Sequence, residues 1–141
     1  MAGLVRVSQK AISRAVNMVL PGHPEVAGAY LFGSALEECR PDSDVDLGLV
    51  LFPEVKEPPG YGFISLEARI EGELPRLAGH RFDVNVLRPN DVIFSFKVIS
   101  TGQMIYAADV EVVTDFVEAV ARRYADIGYR YRRALEEALE S

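Results

Sequence analysis

Leu31-Phe32-Gly33-Ser34-Ala35-Leu36-Glu37-Glu38-Cys39-Arg40-Pro41-Asp42-Ser43-Asp44-Val45-Asp46-Leu47 is the stretch on which the reading of this chain turns. Its first residues end an apolar run, Val26 to Phe32, that predicts a buried strand. Gly33-Ser34 then predicts a sharp turn before a short helical stretch, Ala35 to Cys39. Pro41-Asp42-Ser43 reads as a loop, and Val45 to Phe52 is an apolar run of strand length. Asp44 and Asp46 stand two apart at its start, so the alternation of a strand aims both carboxylates to one side of the sheet. Two carboxylates aimed at one point repel unless a cation lies between them, and hard oxygen ligands suit Mg²⁺. Gly33 lets a phosphate come close to the backbone. Ser34 offers a hydroxyl, and a helix N-terminus behind it would add free N–H groups and positive dipole.

Upstream, Val5 to Leu20 places Val5, Ile12, Ala15, Val16 and Val19 at helical spacing, with Pro21, Gly22 and Pro24 as the stop. Downstream, Ile64, Leu66, Ala68, Ile70, Leu74 and Leu77 predict a helix to about Ala78, its last turn disturbed by Pro75. Arg81 to Leu87 alternates, with Phe82, Val84 and Val86 on one face and Asp83, Asn85 and Leu87 on the other. Asp83 is thus a third carboxylate on a later strand. Asn90-Asp91 predicts the cap of a helix ending at Gly102, and Met104 to Tyr106 a short extra strand. From Asp109 onward Val113, Val117, Val120, Tyr124, Ile127, Tyr131, Leu135 and Ala138 step by three or four. A helix that long spans roughly 45 Å at 1.5 Å per residue, more than a small domain is wide. Either it folds back, with Gly128 as the break, or it overhangs and packs its stripe on a partner subunit. Strands interleaved with helices make the fold class α/β (α+β), a small mixed sheet flanked by helices with a long C-terminal helix.

The chain has 141 residues and a formal net charge of −6. That length fits one domain, and the acidity argues against gripping long DNA or RNA, which needs Lys and Arg on phosphates. It agrees with carboxylates gathered for a cation. A single cysteine, Cys39, excludes an internal disulfide. Arg6, Gln9, Lys10 and Arg14 break the N-terminal apolar runs, so no signal peptide is read, and no stretch is apolar enough to span a bilayer. The expected location is cytoplasmic. A calcium loop opening at Asp42 fails, because its sixth and twelfth positions are Leu47 and Pro53 rather than glycine and glutamate. His23 and His80 sit beside turns and are expected at the surface. Arg122, Arg123, Arg130, Arg132 and Arg133 read as a solvated helix face, with Glu118, Glu136 and Glu137 as pairing partners, and an acidic partner or the triphosphate stays open as their alternative use.

The joint pattern Gly33-Ser34, Asp44-x-Asp46 and Asp83 resembles the minimal nucleotidyltransferase (MNT) domains of the DNA polymerase β-like superfamily, over about Val26 to Tyr106. FSFKVISTGQMIYAAD followed by a long Arg- and Tyr-bearing helix is similar to the subgroup of adenylyltransferase antitoxins paired with HEPN RNase toxins. The resemblance implies one nucleotidyltransferase domain over 1–141, with 109–141 a C-terminal helical extension. It implies two Mg²⁺ ions held by Asp44 and Asp46, with Asp83 completing one site and assisting as base. ATP would be the donor, with Gly33 and Ser34 on its β- and γ-phosphates, and the acceptor a tyrosine hydroxyl of a cognate HEPN toxin. The spacer from Ser34 to Asp44 is nine residues long. That is one fewer than is common in the family, and Glu37-Glu38 stands where small or basic residues are usual. Two other readings stay open: an MNT-fold binding module that neutralises its partner by contact, and transfer to a small molecule. The apolar stripe of the last helix also leaves a homo-oligomer open.

Overall fold

The computed structural model describes residues 3–140. A two-residue strand β1 (Val5–Arg6) is followed by α1 (Gln9–Val19), β2 (Val26–Phe32), β3 (Glu38–Cys39) and β4 (Val45–Leu51). Then come α2 (Ile64–Glu73), β5 (Phe82–Val86), α3 (Val92–Thr101), β6 (Gln103–Ala107) and α4 (Val110–Glu140). Four strands form one mixed sheet in the order β5-β4-β2-β6, and β1 pairs with β3 in a separate ribbon. β2 runs antiparallel to both its neighbours, whereas β4 and β5 run parallel.

The sheet is covered on both faces. Val45, Leu47 and Leu49 of β4, with Phe82, Val84 and Val86 of β5, meet Ile12, Val16, Leu66 and Ile70 of α1 and α2. The opposite face gathers Tyr30, Val50 and Leu87 against Val98 of α3 and Val113 of α4. Because successive strand residues alternate, Asp46 and Asp83 fall on the face shared with α3 and α4. Gly28 lets α4 come close there: a Cβ at this position would lie 2.5 Å from Val113 Cγ2.

Several boundaries differ from the sequence reading, each for a physical reason. α1 starts at Gln9 rather than Val5 because the Ser8 hydroxyl accepts from the Ala11 N–H as an N-cap, and Val5 goes to β1. α2 stops at Glu73. Leu74 is extended, as expected of a residue before proline. The helix expected over Ala35 to Cys39 is a single 3₁₀ turn, Gly33–Leu36, after which Glu38 and Cys39 pair with Arg6 and Val5.

The fold-back of the last helix at Gly128 is overturned: α4 is continuous through 31 residues, about 46 Å. A glycine inside a helix costs only about 1 kcal/mol relative to alanine, too little to break it. Every residue from Ala121 to Glu140 is exposed. This half is laced by i,i+4 ion pairs, Arg122 with Glu118, Arg130 with Asp126 and Arg133 with Glu137. Glu118 and Glu137 are partners the sequence suggested; Asp126 is a third it did not. Among the described residues no helix is long and apolar enough to cross a membrane.

Candidate active site

β4 is the central element of the site. It carries Asp46 beside Asp83, its register partner on parallel β5, and opposite Phe32 of β2. Phe32 ends β2 and leads directly into Gly33, so the glycine turn reaches the same point of the sheet. Gly33 adopts φ 77°, a left-handed conformation that favours glycine. A Cβ there would also collide with the Asp46 carboxylate. Conformation and space demand glycine independently. Ser34 follows, exposed, with its carbonyl accepting from the Glu37 N–H at 3.1 Å. Since the turn is too short for aligned peptide dipoles to sum, an anion here would meet single N–H groups rather than a helix terminus.

The Asp46 carboxyl is pushed up to about 6. Burial is the main cause, followed by the charges of Asp83 and Asp44 and a side-chain hydrogen bond with Asp83. Every contribution acts in one direction, and no ion pair among the described residues involves Asp44, Asp46 or Asp83. The structure brings Asp46 and Asp83 together and leaves Asp44 at the exposed entry to β4. Among the described residues no three Asp, Glu, His or Cys side chains are drawn into one metal-holding group. A pair of hard oxygen donors nevertheless fits a divalent cation, whose charge would favour the ionised form of Asp46 that burial and the neighbouring carboxylates disfavour.

Both histidines are buried, at 6% and 4% exposure for His23 and His80, which corrects the surface placement read from the sequence. His23 Nε2 lies 2.9 Å from Glu73 Oε2, tying the loop after α1 to the end of α2. His80 Nδ1 lies 2.7 Å from the Ser43 carbonyl oxygen, next to Asp44. Sequence reasoning missed this contact. Its one local signal is Ala78-Gly79, a turn that places a histidine at the mouth of the strand bearing Asp83.

A cleft of about 500 Å³ lies elsewhere, at the far end of β4 and β5. It is lined by Phe52, Phe63, Leu87, Arg88, Phe116 and Arg123, among others, and by none of the three aspartates.

The family profile described as "Polymerase beta, Nucleotidyltransferase" matches residues 15–111, more than half of the chain and all of the four-stranded sheet. The chain belongs to this nucleotidyltransferase family. No curated protein matches it in sequence. Among solved structures, the nucleotidyltransferase fold is shared with a chain of the toxin–antitoxin pair MntA-HepT. The TM-score is 0.61 at 14% identity, covering 93% of this chain and 99% of that one. A chain from the complex of a tri-AMPylated Shewanella oneidensis HEPN toxin with its MNT antitoxin gives 0.60 at 13% identity, covering 93% and 98%. A toxin–antitoxin structure with AMP-PNP gives 0.61 at 13%, covering 90% and 98%. At such identities the likeness establishes the nucleotidyltransferase fold.

Proposed function

We propose that this protein is a Mg²⁺-dependent adenylyltransferase that moves AMP from ATP to a tyrosine hydroxyl of a cognate HEPN toxin, and so acts as an antitoxin. The observation that carries the reading is the half-buried Asp46–Asp83 pair, in no ion pair among the described residues and with Asp46 against the Gly33 turn, within a nucleotidyltransferase family domain. The specific donor and acceptor are suggested by the structural neighbours, one an AMPylated HEPN toxin complex and one solved with AMP-PNP.

Asp44, Asp46 and Asp83 would hold the metal. When bound, Mg²⁺ would neutralise phosphate charge and lower the pKa of the attacking hydroxyl. The N–H groups of the Gly33-Ser34 turn and the Ser34 hydroxyl would bind the β- and γ-phosphates. The tyrosine oxygen attacks the α-phosphorus in line, and a new O–P bond forms as the bond to the bridging oxygen breaks. Pyrophosphate leaves with that electron pair, and the phenolic proton passes to the Asp83 carboxylate. Holding acceptor and donor in line is the larger part of what the fold contributes.

The test is label transfer from α-labelled ATP with Mg²⁺ to a co-produced HEPN partner, comparing wild type with Asp44→Ala/Asp46→Ala. Label on the partner that disappears in the double variant supports the reading. Neutralisation of the toxin without label sinks it. A contact-only antitoxin is the second reading, favoured by the fully exposed far half of α4.

A further inference from the structure

Among the buried polar side chains outside the proposed chemistry, His80 lies nearest in sequence to the strand carrying Asp83. His80 ends a tight reversal in which the Leu77 N–H donates to the His80 carbonyl at 3.0 Å and the His80 N–H donates to the Leu77 carbonyl at 2.9 Å. The two residues between them, Ala78 and Gly79, have φ of 51° and 86°. Positive φ at both central positions is the signature of a type I′ turn, the reversal whose twist matches that of paired strands. Ala78 is the one non-glycine residue with positive φ among the described residues. An L-residue there costs about 1–2 kcal/mol, so the surroundings must hold the turn in place.

They do so at the point where the aspartates begin. A carbonyl can only accept, so the 2.7 Å contact fixes the proton on His80 Nδ1, donated to the Ser43 oxygen. The next residue acts as well: the Val45 N–H donates to the Arg81 carbonyl at 2.7 Å. Ser43 and Val45 flank Asp44. The backbone on both sides of that aspartate is therefore fastened to two consecutive residues, 80 and 81, which also lead into the strand carrying Asp83. Ser43 is steadied further by its N–H, which donates to the Arg40 carbonyl at 3.0 Å.

We infer that the Leu77–Arg81 turn is a clamp and that His80 is a positioning residue, which holds the exposed Asp44 in register with the half-buried Asp46–Asp83 pair. Among the described residues no ion pair or side-chain hydrogen bond holds the Asp44 carboxylate, so its backbone sets its place. The inference rests on the nucleotidyl-transfer reading for its consequence, though not for its geometry.

The full chain is tested as His80→Ala, His80→Asn and His80→Gln. Asparagine places an amide N–H close to where Nδ1 stands, whereas glutamine carries it one methylene further. Two readouts are taken: label transfer to the HEPN partner, and metal-free amide hydrogen exchange over residues 43–47. Expected are a drop in transfer of roughly 10- to 100-fold for Ala, the scale set by small misplacements of reacting groups, and faster exchange at Val45. Asn should restore both readouts and Gln neither. If Ala fails to fold, the Asn–Gln contrast still decides. Wild-type exchange and transfer in Ala, or Gln performing as well as Asn, overturns the clamp. If wild type transfers no label at all, the proposed activity falls, and the exchange pattern alone upholds or overturns the clamp.

Discussion

The two ends of the β4–β5 pair are built to opposite rules. At the C-terminal end a roomy cleft is walled by Phe52, Phe63 and Phe116, and two of its lining charges, Arg88 and Glu57, pair with each other. Arg88 donates to Glu57 at 2.6 Å and lies over the Phe63 ring at 5.5 Å. At the N-terminal end Asp46 and Asp83 sit side by side, in no ion pair among the described residues, next to a positive-φ turn where a Cβ would meet the Asp46 carboxylate. The volume is at one end and the unresolved charge at the other. A fold tolerates clustered like charge only where something else offsets it, so the second end is the informative one.

The contrast can be broken in several ways. The largest effect expected is at Asp46. Asp46→Ala should lower AMP transfer by about 10³-fold or more, measured as label incorporated per minute, with partner binding intact. Next is Gly33→Ala, which must both strain φ and displace the Asp46 carboxylate. It should destabilise by roughly 2–4 kcal/mol in urea denaturation and abolish transfer. Gly72→Ala is the control, because a Cβ there meets nothing within 4 Å. Near-wild-type stability for Gly33→Ala would mean the turn and the carboxylate are not locked together.

A smaller effect concerns pH. Asp46 is raised from 3.8 to about 6, so its ionised form is disfavoured in the fold. Well below pH 3.8 the group is protonated in both states and carries no penalty. As pH rises from about 4 to about 6 without metal, the unfolded chain ionises the group while the fold still holds it protonated, so stability should fall by on the order of 2 kcal/mol, after discounting for partial exposure, and level off above. Asp46→Asn should flatten that slope, and Mg²⁺ at pH 7.5 should restore stability to wild type. Denaturation in chelator across pH 4–8 reads all three. The smallest effect is at the other end: Arg88→Ala should cost under about 1 kcal/mol and leave transfer unchanged. A loss of transfer there comparable to Asp46→Ala would join the two ends into one site.

How far the sequence led can be traced residue by residue. Val26–Phe32 and Val45–Leu51 are apolar over strand length, so β2 and β4 were legible, and the alternation of Phe82, Val84 and Val86 gave the facing of Asp83. What no local pattern carries is which strands become neighbours. That Asp46 meets Asp83 is a consequence of parallel register between segments far apart in the chain. The same holds for Glu38-Cys39, read as helix and taken instead by pairing with Val5-Arg6. His80 looked like a turn residue, and its burial depends on a carbonyl 37 residues earlier. The aspartates were recognisable as a set by family resemblance; the side chain that steadies one of them was not.

The length of α4 has its own consequence for how the chain acquires structure. A stretch of about 20 residues standing in water would be marginal as a free helix, because starting a helix is far harder than extending one. Here Val113 is packed beneath the sheet and Val120 is buried, so the first turns are formed by tertiary contact. Tyr124 adds a last foothold, stacked on Phe96 with ring centroids 3.7 Å apart. The projecting half needs only propagation from that nucleus, and it should melt from the end away from the sheet inward, residue by residue, while the sheet remains intact.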